Sequence, residues 1–212
     1  GGTGADTVQG SEDWNQIDGG AGDDSISAGA GRDTIIGGSG NDYIDGGADT
    51  DTLIGGTGDD TLDGGDGIDF VDYGSVTGNL TVDMSAGTSV DSDPSGVGSD
   101  TLREIENITT GSGSDRVTGS SVANVIQGGE GEDTLTGGGG DDTLSGGSGN
   151  DTVDYSTNTS DQSVVVNLDT GTASDGTGGS DSLSGFESVS GGAGTDDITG
   201  DSGANVLEGK DG

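Results

Sequence analysis

The chain has 212 residues, of which 50 are glycine, 25% are hydrophobic and 3% are aromatic, too little apolar matter for a conventional globular core. With 41 acidic residues against 4 basic ones the formal net charge is −37, so nucleic acid and anionic membrane surfaces are repelled and cations are the natural partners. Cysteine and histidine are both absent, which removes disulfides, Cys–His and Ser–His–Asp nucleophilic machinery and the usual zinc donor sets, leaving oxygen ligands for hard cations.

Residues 1–72 divide into eight consecutive nine-residue units, GGTGADTVQ, GSEDWNQID, GGAGDDSIS, AGAGRDTII, GGSGNDYID, GGADTDTLI, GGTGDDTLD and GGDGIDFVD. Their sixth positions are Asp6, Asn15, Asp24, Asp33, Asp42, Asp51, Asp60 and Asp69, and their eighth positions are Val8, Ile17, Ile26, Ile35, Ile44, Leu53, Leu62 and Val71. An oxygen donor and an aliphatic side chain thus recur in one phase. Residues 73–109 form a spacer that contains Pro94, the chain's single proline. In it Leu80, Val82 and Met84 alternate with Thr81 and Asp83, a half-buried strand pattern. Leu102, Ile105 and Ile108 recur every third residue, a spacing that suits either a short helical turn or bulged strands.

Nonamers resume over 110–154, with Asp115, Asn124, Asp133, Asp142 and Asp151 at the sixth position and Val117, Ile126, Leu135, Leu144 and Val153 at the eighth. A second spacer, 155–190, repeats the first. ValAspTyr (71–73) returns at 153–155, ThrLeuArgGluIleGluAsn (101–107) is echoed by SerLeuSerGlyPheGluSer (182–188), and Val164, Val166 and Leu168 form its strand candidate. Its length equals four nonamers, which suggests that it replaces two whole coils. A third block, 191–212, opens with Asp196 and Asn205, whose aliphatic partners are Ile198 and Leu207. The chain starts on the first residue of a nonamer and stops four residues into another, which reads as a piece of a longer protein.

Eight units in register resemble the repeats-in-toxin (RTX) nonapeptide G-G-x-G-x-D-x-U-x, a signature of calcium-binding parallel β-helices. The resemblance implies an all-β fold, a parallel β-roll or β-helix solenoid of 18-residue coils, each with two turns and two strands and with calcium between stacked turns. It implies that each ion is held by sixth-position aspartates 18 residues apart and by carbonyl oxygens of positions one to four. On this sequence the carboxylates are Asp6, Asp24, Asp42 and Asp60 on one edge and Asp33, Asp51 and Asp69 on the other, then Asp115, Asp133, Asp151, Asp142 and Asp196. The carbonyls come from Gly2, Gly4, Gly19, Gly20, Ala21, Gly22, Gly29, Gly31, Gly37, Gly38, Ser39, Gly40, Gly46, Ala48, Gly55 and Thr57, and from Gly111, Gly113, Gly128, Gly129, Glu130, Gly131, Gly146 and Ser148. The edge in which Asn15 replaces an aspartate, and Ala28 and Asp49 replace glycines, is expected to bind more weakly.

A single buried aliphatic per nine residues is outweighed by the entropy of ordering them, and glycine loses most. Stacked carboxylates repel as well, so the chain is expected to fold only with calcium, whose binding energy then becomes folding energy. Competing readings fail on pattern. There is no EF-hand loop, glycine does not recur every third residue as in collagen, and no G-K-[ST] phosphate loop occurs. Acidic pairs such as Asp23 with Asp24, Asp59 with Asp60 and Asp141 with Asp142 recur along the chain, unlike the unique pair of a glycosidase. Trp14 and Tyr43 occupy variable positions and read as surface residues.

The expected function is therefore non-enzymatic. Proteins of the RTX family leave bacterial cells unfolded by type I secretion and fold on meeting extracellular calcium, so the resemblance implies a structural module of a large secreted or cell-surface protein. Alternatives are the accessory module of a secreted metalloprotease, lipase or alginate epimerase, or a surface-layer or adhesin rod. No nucleic acid or membrane insertion is expected of this region. Self-association or contact with a secretion apparatus would involve parts of the parent protein outside this sequence.

Overall fold

Each nonamer builds a tight turn followed by a short strand in which the eighth position and the next unit's first position point inward. In the computed structural model, which describes residues 1–92 and 96–210, this alternation is visible as buried Ile26 and Ala28 between less buried neighbours. Pro94 lies outside the described residues. Two units are distinguished, Gly1–Thr110 and Gly111–Gly212. No helix is long and apolar enough to cross a membrane among the described residues.

In the first unit, β1 (Thr7–Ser11), β3 (Ser25–Ala30), β5 (Tyr43–Ala48) and β7 (Thr61–Asp66) stack in parallel in one sheet. The other sheet stacks β2 (Gln16–Ala21), β4 (Thr34–Ser39), β6 (Thr52–Thr57) and β8 (Phe70–Asp72). Registers advance by one coil, pairing Ile26 with Ile44 and Ile35 with Leu53. Ile26, Ile35, Ile44, Leu53 and Leu62 are wholly buried between the sheets. Burying each contributes about 1.5–3 kcal/mol.

The first spacer supplies an antiparallel hairpin, β9 (Leu80–Asp83) and β10 (Thr88–Asp91), and then one more coil. That coil consists of β11 (Thr101–Arg103), parallel to β7 with Leu102 opposite Leu62, and β12 (Asn107–Thr109), parallel to β8 with Ile108 opposite Val71. The threefold spacing of Leu102, Ile105 and Ile108 is therefore two strands around a corner, where Glu104 has φ 49°.

In the second unit one sheet runs through β13 (Arg116–Thr118), β15 (Thr134–Thr136), β17 (Thr152–Asp154), β21 (Ser188–Ser190) and β23 (Val206–Glu208), all parallel. The other runs β14 (Val125–Glu130), β16 (Thr143–Ser148), β20 (Ser180–Ser184), β19 (Thr172–Ser174), β18 (Val165–Asn167) and β22 (Asp197–Thr199). The second spacer thus differs from the expected two coils. Val153 pairs with Val189, and Val189 with Leu207, a single layer, whereas the opposite sheet gains β20, β19 and β18. The reason is local: β18 and β19 are antiparallel and joined by a short turn, so they widen one sheet without crossing to the other.

Candidate metal centre

The sixth-position residue ends each turn, directly before the strand, so successive ones stack at 18-residue intervals. In every inner coil one carboxylate oxygen ties the coils together. Asp42 Oδ1 accepts the N–H of Asp24 at 2.8 Å, Asp60 Oδ1 that of Asp42 at 2.8 Å, and Asp51 Oδ1 that of Asp33 at 2.7 Å. Asp133 and Asp151 do the same for Asp115 and Asp133. The second oxygen is left over. Oδ2 of Asp24, Asp33, Asp42, Asp51, Asp60, Asp69, Asp133, Asp142 and Asp151 is buried without a hydrogen-bond partner. A buried charged acceptor without a partner is costly, and it recurs here on both edges of successive coils.

These oxygens face the first-position glycines. A Cβ placed on Gly19 would lie 2.5 Å from Asp24 Oδ2 and 2.5 Å from the Gly37 carbonyl, and one on Gly37 would lie 2.5 Å from both Asp42 Oδ2 and the Gly55 carbonyl. At Gly46 the distances are 2.6 Å to Asp51 Oδ2 and 2.8 Å to the Gly64 carbonyl, and at Gly128 2.5 Å to Asp133 Oδ2 and 2.7 Å to the Gly146 carbonyl. A carboxylate oxygen of one coil and a carbonyl of the next therefore converge over bare glycine. This donor set is all oxygen, part charged and part neutral, and it fits calcium.

Among the described residues no group of three or more acidic side chains converges, so each site has few carboxylates and needs backbone oxygens. Four other candidate carbonyls are engaged between coils: Ala21 N–H donates to the Gly2 carbonyl at 3.1 Å, Gly22 N–H to Ser39 at 2.7 Å, Gly40 N–H to Thr57 at 2.9 Å, and Gly131 N–H to Ser148 at 2.8 Å. Asp6 Oδ2 and Asp196 Oδ2 instead accept N–H groups of their own turns, from Gly2 and Gly192. The asparagines behave likewise: Asn15 Oδ1 accepts Ser11 N–H and Asn124 Oδ1 accepts Ser120 N–H, each at 2.7 Å. Trp14 and Tyr43 are exposed.

Four acidic residues outside the nonamers extend the rows. Asp100 Oδ1 accepts Asp60 N–H at 2.9 Å, Glu106 Oε2 accepts Asp69 N–H at 2.9 Å, Asp181 Oδ1 accepts Asp142 N–H at 3.2 Å, and Glu187 Oε2 accepts Asp151 N–H at 3.0 Å. Their signal was the echo of AspThrLeuArgGluIleGlu (100–106) in AspSerLeuSerGlyPheGlu (181–187). Asp100 and Asp181 differ from the inner rungs, because Oδ2 accepts a buried tyrosine hydroxyl, Tyr73 at 2.6 Å and Tyr155 at 2.9 Å. Tyr73→Phe and Tyr155→Phe should each destabilise the calcium-loaded fold by about 1–3 kcal/mol, the cost of stranding a buried acceptor, measured as a lower Tm.

Burial raises five of the row carboxyls well above the ordinary 3.8. Asp60 and Asp142 are raised to about 7, and Asp51, Asp69 and Asp133 to about 6; neighbouring carboxylates add to the rise and backbone N–H donors oppose it. The metal-free folded chain therefore binds more protons than the unfolded chain, and this stability is present below about pH 4 and lost as pH rises through 6 to 7. In EDTA, strand content by circular dichroism should increase on acidification from neutral pH towards about pH 4.5. A profile flat across that window would contradict the burial of these groups.

No curated protein matches the chain. The model of the RTX calcium-binding nonapeptide repeat (4 copies) matches residues 1–26, 18–53, 45–76, 118–153 and 175–212. These matches span both units and the inner rungs, where buried carboxylate and carbonyl oxygens meet over glycine. A structural calcium-binding module, repeated coil on coil, is what the sequence periodicity and the stacked turns have in common: the chain belongs to the RTX calcium-binding nonapeptide repeat family.

Proposed function

We propose that this region is a calcium-triggered folding module of a secreted or cell-surface bacterial protein. The row of buried, unpartnered Asp Oδ2 atoms carries the reading, since each is an uncompensated charge until a cation arrives. Asp24, Asp42 and Asp60 on one edge, Asp33, Asp51 and Asp69 on the other, and Asp133, Asp142 and Asp151 in the second unit would supply the carboxylate oxygens. The carbonyls of Gly37, Gly55, Gly64 and Gly146 would supply neutral ones. Bound calcium offsets carboxylate repulsion and links adjacent coils through shared oxygens. Ala28 carries a methyl group where the other seven first positions of the first block are bare glycine, so binding beside Asp33 is weaker.

Extracellular calcium modules bind at about 10⁻⁴–10⁻³ M, far above cytosolic calcium. Such a chain stays unfolded inside the cell and folds outside, which suits type I secretion. Circular dichroism of the chain in EDTA and then in about 10 mM calcium should pass from coil to strand at neutral pH. An unchanged spectrum would refute the proposal.

A further inference from the structure

We propose that each unit carries one additional divalent-cation site built by its spacer, at Asp69 with the Glu104 carbonyl and Glu106, and at Asp151 with the Gly185 carbonyl and Glu187. The inference rests on the calcium reading above and extends it to residues outside any nonamer.

Asp69 and Asp151 are the last sixth-position aspartates of their rows before a spacer, so no nonamer stacks on them. Both are fully buried, and Oδ2 of each lacks a partner. A Cβ on Gly64 would lie 2.7 Å from Asp69 Oδ2 and closer still to the Glu104 carbonyl; one on Gly146 would lie 2.7 Å from Asp151 Oδ2 and closer still to the Gly185 carbonyl. This is the convergence seen over Gly19 and Gly37, with a spacer carbonyl in place of a first-position one. Glu104 and Gly185 hold the same corner in the left-handed region, with φ 49° and 66°. Asn107 pairs with Phe70 and Ser188 with Thr152, so Glu106 and Glu187 stand where the next aspartate of the row would, and each accepts the aspartate's N–H.

The opposite edge of the same coil sets the contrast. There the terminal carboxylates, Asp100 and Asp181, take a tyrosine hydroxyl on Oδ2 and need no cation. Each spacer therefore closes one ligand row with a phenol and continues the other with a glutamate and a carbonyl. The same arrangement arises twice, in two units.

Anomalous difference maps from crystals of the calcium-loaded chain test this directly. Peaks are expected between Asp69 Oδ2 and the Glu104 carbonyl and between Asp151 Oδ2 and the Gly185 carbonyl. Peaks at the nonamer rungs with none at these two places would overturn the spacer sites alone, whereas no peaks anywhere would also remove the calcium reading. In solution, Glu106→Gln with Glu187→Gln should weaken two ions by about ten-fold or more in equilibrium dialysis, with strand content retained at saturating calcium. Asp201→Ala, in an exposed turn outside both ligand sets, should leave the ion count unchanged. A double variant with the wild-type count and affinity would overturn the proposal.

Discussion

Asp42→Ala should raise the calcium concentration at the folding midpoint by about ten-fold or more, because this side chain serves two coils at once. Its Oδ1 accepts the Asp24 N–H at 2.8 Å, and its buried Oδ2 faces the Gly55 carbonyl over Gly37. A hydrogen bond to a charged acceptor contributes about 1.5–3 kcal/mol, and about 1.4 kcal/mol is a factor of ten. The loss of a carboxylate ligand adds to that. Asp42→Asn keeps an oxygen for the Asp24 amide and removes only the charge, so its midpoint should fall between wild type and the alanine variant. Asp201→Ala is the control: Asp201 is exposed and bonded within its own turn, to Gly203 and Asn205. Equal midpoints for Asp42→Ala and Asp201→Ala, from calcium titrations followed by circular dichroism, would show that the sixth-position row does not hold the ions.

Much of this was legible because period and chemistry coincide in the nonamers. The eighth-position aliphatics, from Ile26 to Leu62, are the buried seam, and the alternation of Leu80 with Val82 marks a strand. The spacers were less legible, since strand direction is not written in an alternating pattern: Val164 and Val166 alternate whether β18 runs parallel or antiparallel to its neighbour. The division of labour within each carboxylate could not be read either. Nothing in a row of aspartates says that Oδ1 takes an amide while Oδ2 stays bare. Glu106 and Glu187 were hidden by side-chain length, and Tyr73 and Tyr155 because a tyrosine reads as core until its hydroxyl is placed on Asp100 or Asp181.

Gly38→Ala should cost about 2–5 kcal/mol, adding about 1–2 for a left-handed backbone and 1–3 for overpacking, and shift the calcium midpoint upward by at least ten-fold. Gly38 has φ 120°, and a Cβ there would run into the carbonyl oxygen of Gly20, its partner one coil away. The obstacle is backbone, so no rotamer relieves it, and the coils would have to separate beyond the 4.7–4.9 Å spacing of hydrogen-bonded strands. Asp49 shows that a left-handed φ alone is tolerable. It has φ 76°, and its carboxylate accepts the Gly31 N–H at 3.2 Å. Ser39→Ala, at the exposed neighbouring position, keeps the same carbonyl and should fold at the wild-type midpoint. If Gly38→Ala did the same, close stacking of the turns would not be what brings the carboxylate and carbonyl oxygens together.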